Sequence, residues 1–204
     1  MFNRKVRSFA LTSVFLVALA GCGEEAAPPK ATAQSEVFEY HPDYPAYSDL
    51  PALFKKADLV IEATIGQDSK TQYLVPSGQP ANDPRLNPNA GTNKGQDAKT
   101  PVVVTVYQAK VIKVYKGSVA VGDGVAIKQL GGTLDGKTFR EVGAKPLRQG
   151  DRYVLFLATY PDAPTSLLNP DQAQYPVDAS GALAQISDTA PKFTVADLER
   201  VAAK

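Results

Sequence analysis

The chain has one cysteine and one histidine, and the cysteine stands in the more informative place. Cys22 directly follows one aliphatic and two small residues, Leu19, Ala20 and Gly21. A single thiol cannot form an internal disulfide, so an exported chain would need another use for it. The lone Cys22 therefore needs a purpose other than an internal disulfide.

The residues before Cys22 predict a signal for export. Arg4, Lys5 and Arg7 make the start of the chain positive, and positive charge stays on the cytoplasmic side of a membrane. The apolar run from Phe9 to Ala20 has twelve residues. A helix that spans a membrane needs ~20, so the run predicts a cleaved signal and not a permanent span.

The sequence Leu19-Ala20-Gly21-Cys22 resembles the lipobox of bacterial lipoproteins. The resemblance implies that a signal peptidase recognises Leu19, Ala20 and Gly21, that residues 1–21 are removed, and that Cys22 carries a diacylglyceryl group and palmitate. Membrane lipid is then a partner, and the protein is anchored in the cell envelope on the extracytoplasmic side. In the lipoproteins of double-membraned bacteria, Asp after the lipidated cysteine is the usual cue for retention in the inner membrane. Gly23 stands there in this chain, so sorting to the outer membrane is possible if the host has an outer membrane. An ordinary secretory signal with Cys22 as a passenger is the alternative.

Removal of the signal changes the start and the charge of the chain. Residues 22–36 contain no apolar residue larger than Ala beyond Cys22, which predicts a lipidated, disordered tether reaching roughly 20 Å. Loss of three positive charges lowers the formal net charge from +1 to −2. Without clusters of Lys and Arg, the mature chain lacks the positive surface that nucleic acids require as partners.

A tyrosine-rich segment follows the tether. Tyr40, Tyr44 and Tyr47 alternate there with prolines and with His41. The three tyrosines are a candidate binding surface for sugar or peptide, although rings in a leading segment more often pack against their own domain. One histidine does not predict a zinc site, and no nucleophile accompanies it.

Acidic residues are the remaining catalytic candidates. Glu62, Asp123 and Glu141 are scattered over predicted strands and turns, and acid-pair catalysis needs two carboxyl groups that face one cleft. Gly131-Gly132 has no Gly-Lys-Ser/Thr after it, which excludes a phosphate-binding loop. The sequence therefore predicts no catalytic residues, no metal and no cofactor.

The pattern after residue 36 is that of a single, mainly β domain over 37–204. Residues 48–58 predict a short covering helix, and residues 194–201 predict a C-terminal helix with a capping box. About seven strands are predicted between them. They cover residues 59–65, 102–115 with a bulge, 125–130 ended by Gly131-Gly132, a hairpin over 133–142, a buried central strand over 152–160, and a hairpin of 174–177 with 182–186. Residues 67–100 predict a long loop.

The order of these strands resembles a secreted bacterial domain similar to the OB-like barrel of tissue metalloprotease inhibitors and netrin modules. The resemblance covers residues 57–160 through "ADLVIEATI", "VTVYQAKVIKVYKG", "GDGVAIKQLGG" and "LRQGDRYVLFLATY". The number of strands predicts a small, mainly antiparallel barrel or sandwich, and the resemblance favours the OB-like barrel. The resemblance does not carry over the inhibitors' mechanism, because their free N-terminal cysteine chelates zinc, whereas Cys22 would be acylated and lies on a tether.

Three functions are compatible with these features. The first is a non-catalytic binding or assembly module that contacts an unknown envelope protein or polymer. The second is a protease-inhibitor-like domain that uses a loop, and the third is a carboxylate-dependent hydrolase.

Overall fold

The computed structural model describes residues 36–74 and 102–204, which belong to one compact unit, Ser35–Lys204. The fold is mainly β, as predicted, with eight strands and two short helices in these ranges. The elements in chain order are β1 Val37–Tyr40, α1 Leu50–Lys56, β2 Leu59–Tyr73, β3 Val103–Lys116, β4 Gly124–Leu134, β5 Lys137–Glu141, β6 Arg152–Tyr160, β7 Ala163–Leu167, β8 Gln174–Pro176 and α2 Val195–Ala202.

Five of the strands form a ring in the order β4-β3-β2-β6-β7, and pairing of β7 with β4 closes it. The closing contact is parallel and joins Ile127 to Thr165 and Lys128 to Ser166. In the first half of β2, the odd-numbered residues Ile61, Ala63 and Ile65 are fully buried, whereas Glu62 and Thr64 between them are half-buried. Alternation of this kind is expected where one face of a strand lies on a core.

A second, smaller group of strands extends the sheet. β1 pairs in parallel with β5, and β5 pairs with the last residues of β4. The prediction of mainly antiparallel pairing is confirmed, but β1–β5 and β4–β7 are parallel, so the sheet is mixed. Parallel pairs need long connections, and a single sequence pattern does not show which distant strands will meet.

The prediction that β4 ends at Gly131-Gly132 is wrong, since the strand continues to Leu134. Both glycines have positive φ angles, +95° and +135°. A Cβ on Gly132 would lie 2.4 Å from the hydroxyl oxygen of Thr105. The glycines thus let β4 bend out of the ring into the smaller group while it passes close to β3.

The long loop predicted over residues 67–100 begins too early. β2 continues to Tyr73 and pairs with β3 through Tyr73 and Val103. Residues 75–101 lie outside the described residues. The bulge predicted in β3 is confirmed by shifts of register against β2, at Val60/Ile61 and at Glu62/Ala63.

β6 has the central position that was predicted for residues 152–160. Its residues from Tyr153 to Leu157 are buried, and it pairs with β2 on one side and with β7 and β8 on the other. The predicted final hairpin is reduced to β8 and one isolated bridge between Val177 and Leu183.

The two helices cover the ring. In α1, the Asp49 side chain accepts a hydrogen bond from the backbone of Ala52. In α2, Thr194 and Asp197 form the predicted capping box, which is confirmed. Leu198 of α2 is fully buried.

The C-terminal end of α1 is held by a lysine of β3. Lys116 Nζ donates hydrogen bonds to the carbonyl oxygens of Phe54 (2.9 Å) and Lys55 (3.1 Å), and also to that of Ala57. These are carbonyl groups that a helix end leaves without intrahelical partners. One charged group therefore joins α1 to the ring.

Replacing Lys116 with Met should lower the free energy of unfolding by about 1–3 kcal/mol, because hydrogen bonds from a charged donor are lost and the carbonyls stay partly buried. Lys110→Met, on an exposed residue of the same strand, is the matched control and should change little. Urea unfolding of both variants measures the difference. Equal stability of the two variants would contradict the role of Lys116.

Candidate functional site

Three rows of paired residues place their side chains on one outer face of the ring, because residues paired across strands share a face. The rows cross β2, β3 and β4, and the middle row reaches β7. We call this surface the groove face. Its residues are, row by row, Gln72, Val104 and Leu130; Lys70, Val106, Lys128 and Ser166; and Gln108 and Ala126.

The groove face has an aliphatic floor and a polar rim. Val104 and Val106 are 2% and 9% exposed. Lys70, Gln72 and Gln108 border them, and within residues 36–74 and 102–204 the side chains of these three have no hydrogen-bond or ion-pair partner. Rows two residues apart on a strand are about 7 Å apart, so the three rows extend over roughly 14 Å.

Two cavities lie along this face. One of about 130 Å³ is bordered by Tyr44, Glu141 and Leu74 as well as by Val104. The other, of about 410 Å³, extends to Asp68 and Pro164 and is more polar at its rim. The two cavities thus lie side by side along the three rows, one beside Val104 and the other beside Val106.

Lys128 on the rim is the lysine nearest an aromatic ring. Its Nζ lies 4.2 Å from the centre of the Tyr160 ring, which is a cation–π contact. The hydroxyl groups of Tyr160 and Ser166 are 3.0 Å apart and share a hydrogen bond. This contact leaves the charge of Lys128 available beside the groove.

The three candidate tyrosines occupy different places. Tyr40 stacks on Phe139 with 6.2 Å between ring centres, and its hydroxyl oxygen accepts a hydrogen bond from the backbone of Val103 (2.9 Å). Tyr47 is held through its backbone, whose N–H donates to the side chain of Gln172 (2.8 Å). Of the three, Tyr44 borders the groove.

Tyr44 and Glu141 form a half-buried pair at the end of the groove. Burial raises the pKa of Tyr44, and its hydrogen bond to Glu141 raises it further. Burial also raises the pKa of Glu141, the hydrogen bond from Tyr44 opposes this shift, and the charge of Asp171 adds to it. Burial and the neighbouring negative charge of Asp171 thus both favour the neutral form of Glu141.

The other candidate acids lie in separate interactions. Glu62 is paired with Arg152 (Oε1 to Nε, 3.3 Å), and the Asp123 side chain accepts a hydrogen bond from the backbone of Ala120 (2.8 Å). Across the two described ranges, no hydrogen bond or ion pair joins any two of Glu62, Asp123 and Glu141. His41 is exposed, with its Nε2 3.8 Å from Glu39. Among the described side chains, no group of three or more metal-ligating types could hold an ion.

The predicted anchor residues Leu19, Ala20, Gly21 and Cys22 lie outside the described residues. In the part of the chain that is described, no helix combines the length and the apolar character that crossing a membrane requires.

Comparison with known proteins adds no relative: neither a protein-family model nor a curated protein sequence matches this chain. The assignment of the site therefore depends on its geometry.

Sequence reasoning missed the lysine and glutamine rim. Lys70 and Gln72 fall in the predicted loop, and Lys128 was assigned no role. A signal was present in β3, where the polar residues Gln108 and Lys110 are two positions apart and so mark an exposed face.

Glu141→Gln should make the protein more stable than the wild type at pH 7. The folded-state pKa of Glu141 lies above its ordinary value of 4.5. Its contribution to stability is therefore complete below that value and is lost as the pH rises through the folded-state pKa. Glutamine stays neutral and can still accept the hydrogen bond from Tyr44.

The advantage of Glu141→Gln should disappear at pH 4, as measured by urea unfolding at both values. Asp162→Asn, which neutralises an exposed acid, is the matched control and is measured at both pH values. An advantage that is equal at both pH values would contradict the raised pKa of Glu141.

Proposed function

We propose that this chain is an exported bacterial lipoprotein whose domain acts as a non-catalytic binding or assembly module of the cell envelope. The lipobox-like sequence that ends in Cys22 supports the anchor. The charged and apolar residues before it support export. The module holds an envelope protein or polymer and is kept at an extracytoplasmic membrane surface by its lipid.

The fold proposed for this module is an OB-like barrel. The five-stranded ring supports it, because OB barrels are five-stranded, partly open and connected as a Greek key. In the ring, β4 meets β7 although β5 and β6 lie between them in the chain. OB barrels bind extended polymers on the face of their second and third strands, which corresponds to the face of β3 and β4 here.

The groove face is the observation that carries the binding proposal. Its buried Val104 and Val106 supply an apolar floor, and Lys70, Gln72 and Gln108 supply polar groups that the described part of the fold does not use. Concave surfaces with an apolar base and a few polar groups are typical of binding sites. The mixture of lysines and amides favours an extended, polar ligand.

The anchor is tested with Cys22→Ser. The wild type should incorporate labelled palmitate in cells and fractionate with membranes, whereas Cys22→Ser should lose both properties because the thiol that carries the lipid is absent. Palmitate labelling and fractionation are measured side by side. Labelling of the variant, or unchanged fractionation, would contradict lipidation at Cys22.

The binding surface is tested by photo-crosslinking in intact envelopes. A photoreactive amino acid at Gln108, in the third row of the groove face, should give a discrete crosslinked product. The same amino acid at Lys56, on the exposed side of α1, is the matched control. Products that are identical from both positions, or absent from Gln108, would count against the groove face as the binding surface.

A further inference from the structure

Among the residues that the structure describes, no strand pairs with one edge of the second half of β2, and we call this the free edge. β6 pairs with β2 only from Leu59 to Thr64. The next contact on that side is between the backbone of Ile65 and the turn at Gly150 and Asp151. Beyond it, β2 runs on to Tyr73 with β3 as its neighbour on the opposite side.

The hydrogen-bonding direction of this edge follows from the last pair of the ladder. The N–H of Leu74 donates to the carbonyl oxygen of Val102 at 2.7 Å. Because directions alternate along an antiparallel strand, Lys70 and Gln72 also face β3, whereas Ser69, Thr71 and Tyr73 direct their N–H and C=O groups away from it. In residues 36–74 and 102–204, no backbone hydrogen bond reaches these outward groups.

The side chains beside the edge differ on its two faces. Lys70 and Gln72 lie on the groove face and have no partner within the described ranges. On the other face, the hydroxyl groups of Thr71 and Thr105 are 3.1 Å apart, and the Tyr73 hydroxyl donates to Asp135 at 2.9 Å. One face thus offers a positive charge that no described residue pairs with, and on the other face the hydroxyl groups of Thr71 and Tyr73 already have hydrogen-bond partners.

We infer that this edge binds an extended acidic peptide of a partner protein, added as a strand next to residues 69–73. The inference rests on the proposed binding function and selects a protein partner over a polymer. Main-chain hydrogen bonds to Ser69, Thr71 and Tyr73 supply the affinity, as in other cases of strand addition. Alternate side chains of the peptide lie on the groove face, where an acidic one meets Lys70.

Other occupants fit the edge less well. A glycan has no repeating row of N–H and C=O groups to match the strand. A second copy paired antiparallel about Thr71 would place Gln72 opposite Lys70. Pairing about Ser69 would place Asp68 there, but Asp68 lies in the irregular stretch between Ile65 and Ser69 and so outside the regular part of the strand. An acidic peptide satisfies both the backbone and the charge.

The probe is an acetylated and amidated heptapeptide of alternating valine and glutamate, and its partner probe has lysine for glutamate. Binding to the full chain in detergent micelles is measured by fluorescence anisotropy. The glutamate peptide should bind the tighter of the two. Lys70→Glu should weaken binding of the glutamate peptide by about 3- to 5-fold, as expected of an exposed charge pair. The same substitution should strengthen binding of the lysine peptide. Lys110→Glu, on β3 of the same face and away from the edge, should leave the ratio unchanged.

A second pair of probes tests the backbone without altering the protein. N-methylation of the peptide amides that point toward β2 should weaken binding of the glutamate peptide by about tenfold or more. N-methylation of the amides that point away from β2 should have little effect on binding. Equal effects of the two sets would overturn strand addition. Equal effects of Lys70→Glu and Lys110→Glu would overturn the contact with Lys70.

The outcomes separate this inference from the proposed function. Crosslinking from Gln108 that persists while the peptides fail to bind would overturn the edge alone. Absence of both the crosslink from Gln108 and peptide binding would overturn the proposed binding module as well. A dimer in sedimentation that the glutamate peptide does not dissociate would show that a second copy occupies the edge.

Discussion

The bulge at residues 66–68 of β2 is the constraint on which the rest of the domain depends. Between Ile65 and Ser69, three residues of β2 stand opposite Gln108 of β3. A Cβ on Gly66 would lie 2.9 Å from the carbonyl oxygen of Gln108, so only glycine allows this approach. Before the bulge, β2 belongs to the ring. After it, the same strand leaves β6 and forms both the side of the groove face and the free edge.

The outer surface of the ring differs between its two sides. Aromatic side chains cover it over β6, whereas the groove face lies over β3 and β4. Over β6, an outer aromatic cluster of Phe156, Tyr175 and Phe193 packs with ring centres 4.5–6.0 Å apart. Over β3 and β4, the short side chain of Ala126 lies between longer polar ones, above the buried Val104 and Val106. The fold therefore buries the outer surface of its central strand and keeps a concave surface beside it.

Features that depend on neighbouring residues could be predicted from the sequence. The apolar run of β6, the capping box of α2 and the changed phase of polar residues in β3 each report local geometry. The continuation of β2 past Gly66 and of β4 past Gly131-Gly132 could not be predicted, because glycine marks both a strand's end and a close approach of two backbones. Only the distant partners, Gln108 and Thr105, decide between these meanings. The short β1 was not predicted, because its partner β5 lies about a hundred residues away in the chain.

The floor and rim residues of the candidate site could not be predicted from the sequence, because their position depends on strand pairing. Val104 and Val106 lie in an apolar run that is typical of a strand buried on both faces, and nothing local distinguishes a core residue from the floor of a groove. Lys70 and Lys128 are brought into one row only by two successive registers, β2 against β3 and β3 against β4. A shift of either register by one residue would turn one lysine to the opposite face. The charge of the groove is thus a property of strand pairing, and the bulge at Gly66 sets the register that places Lys70 beside the floor.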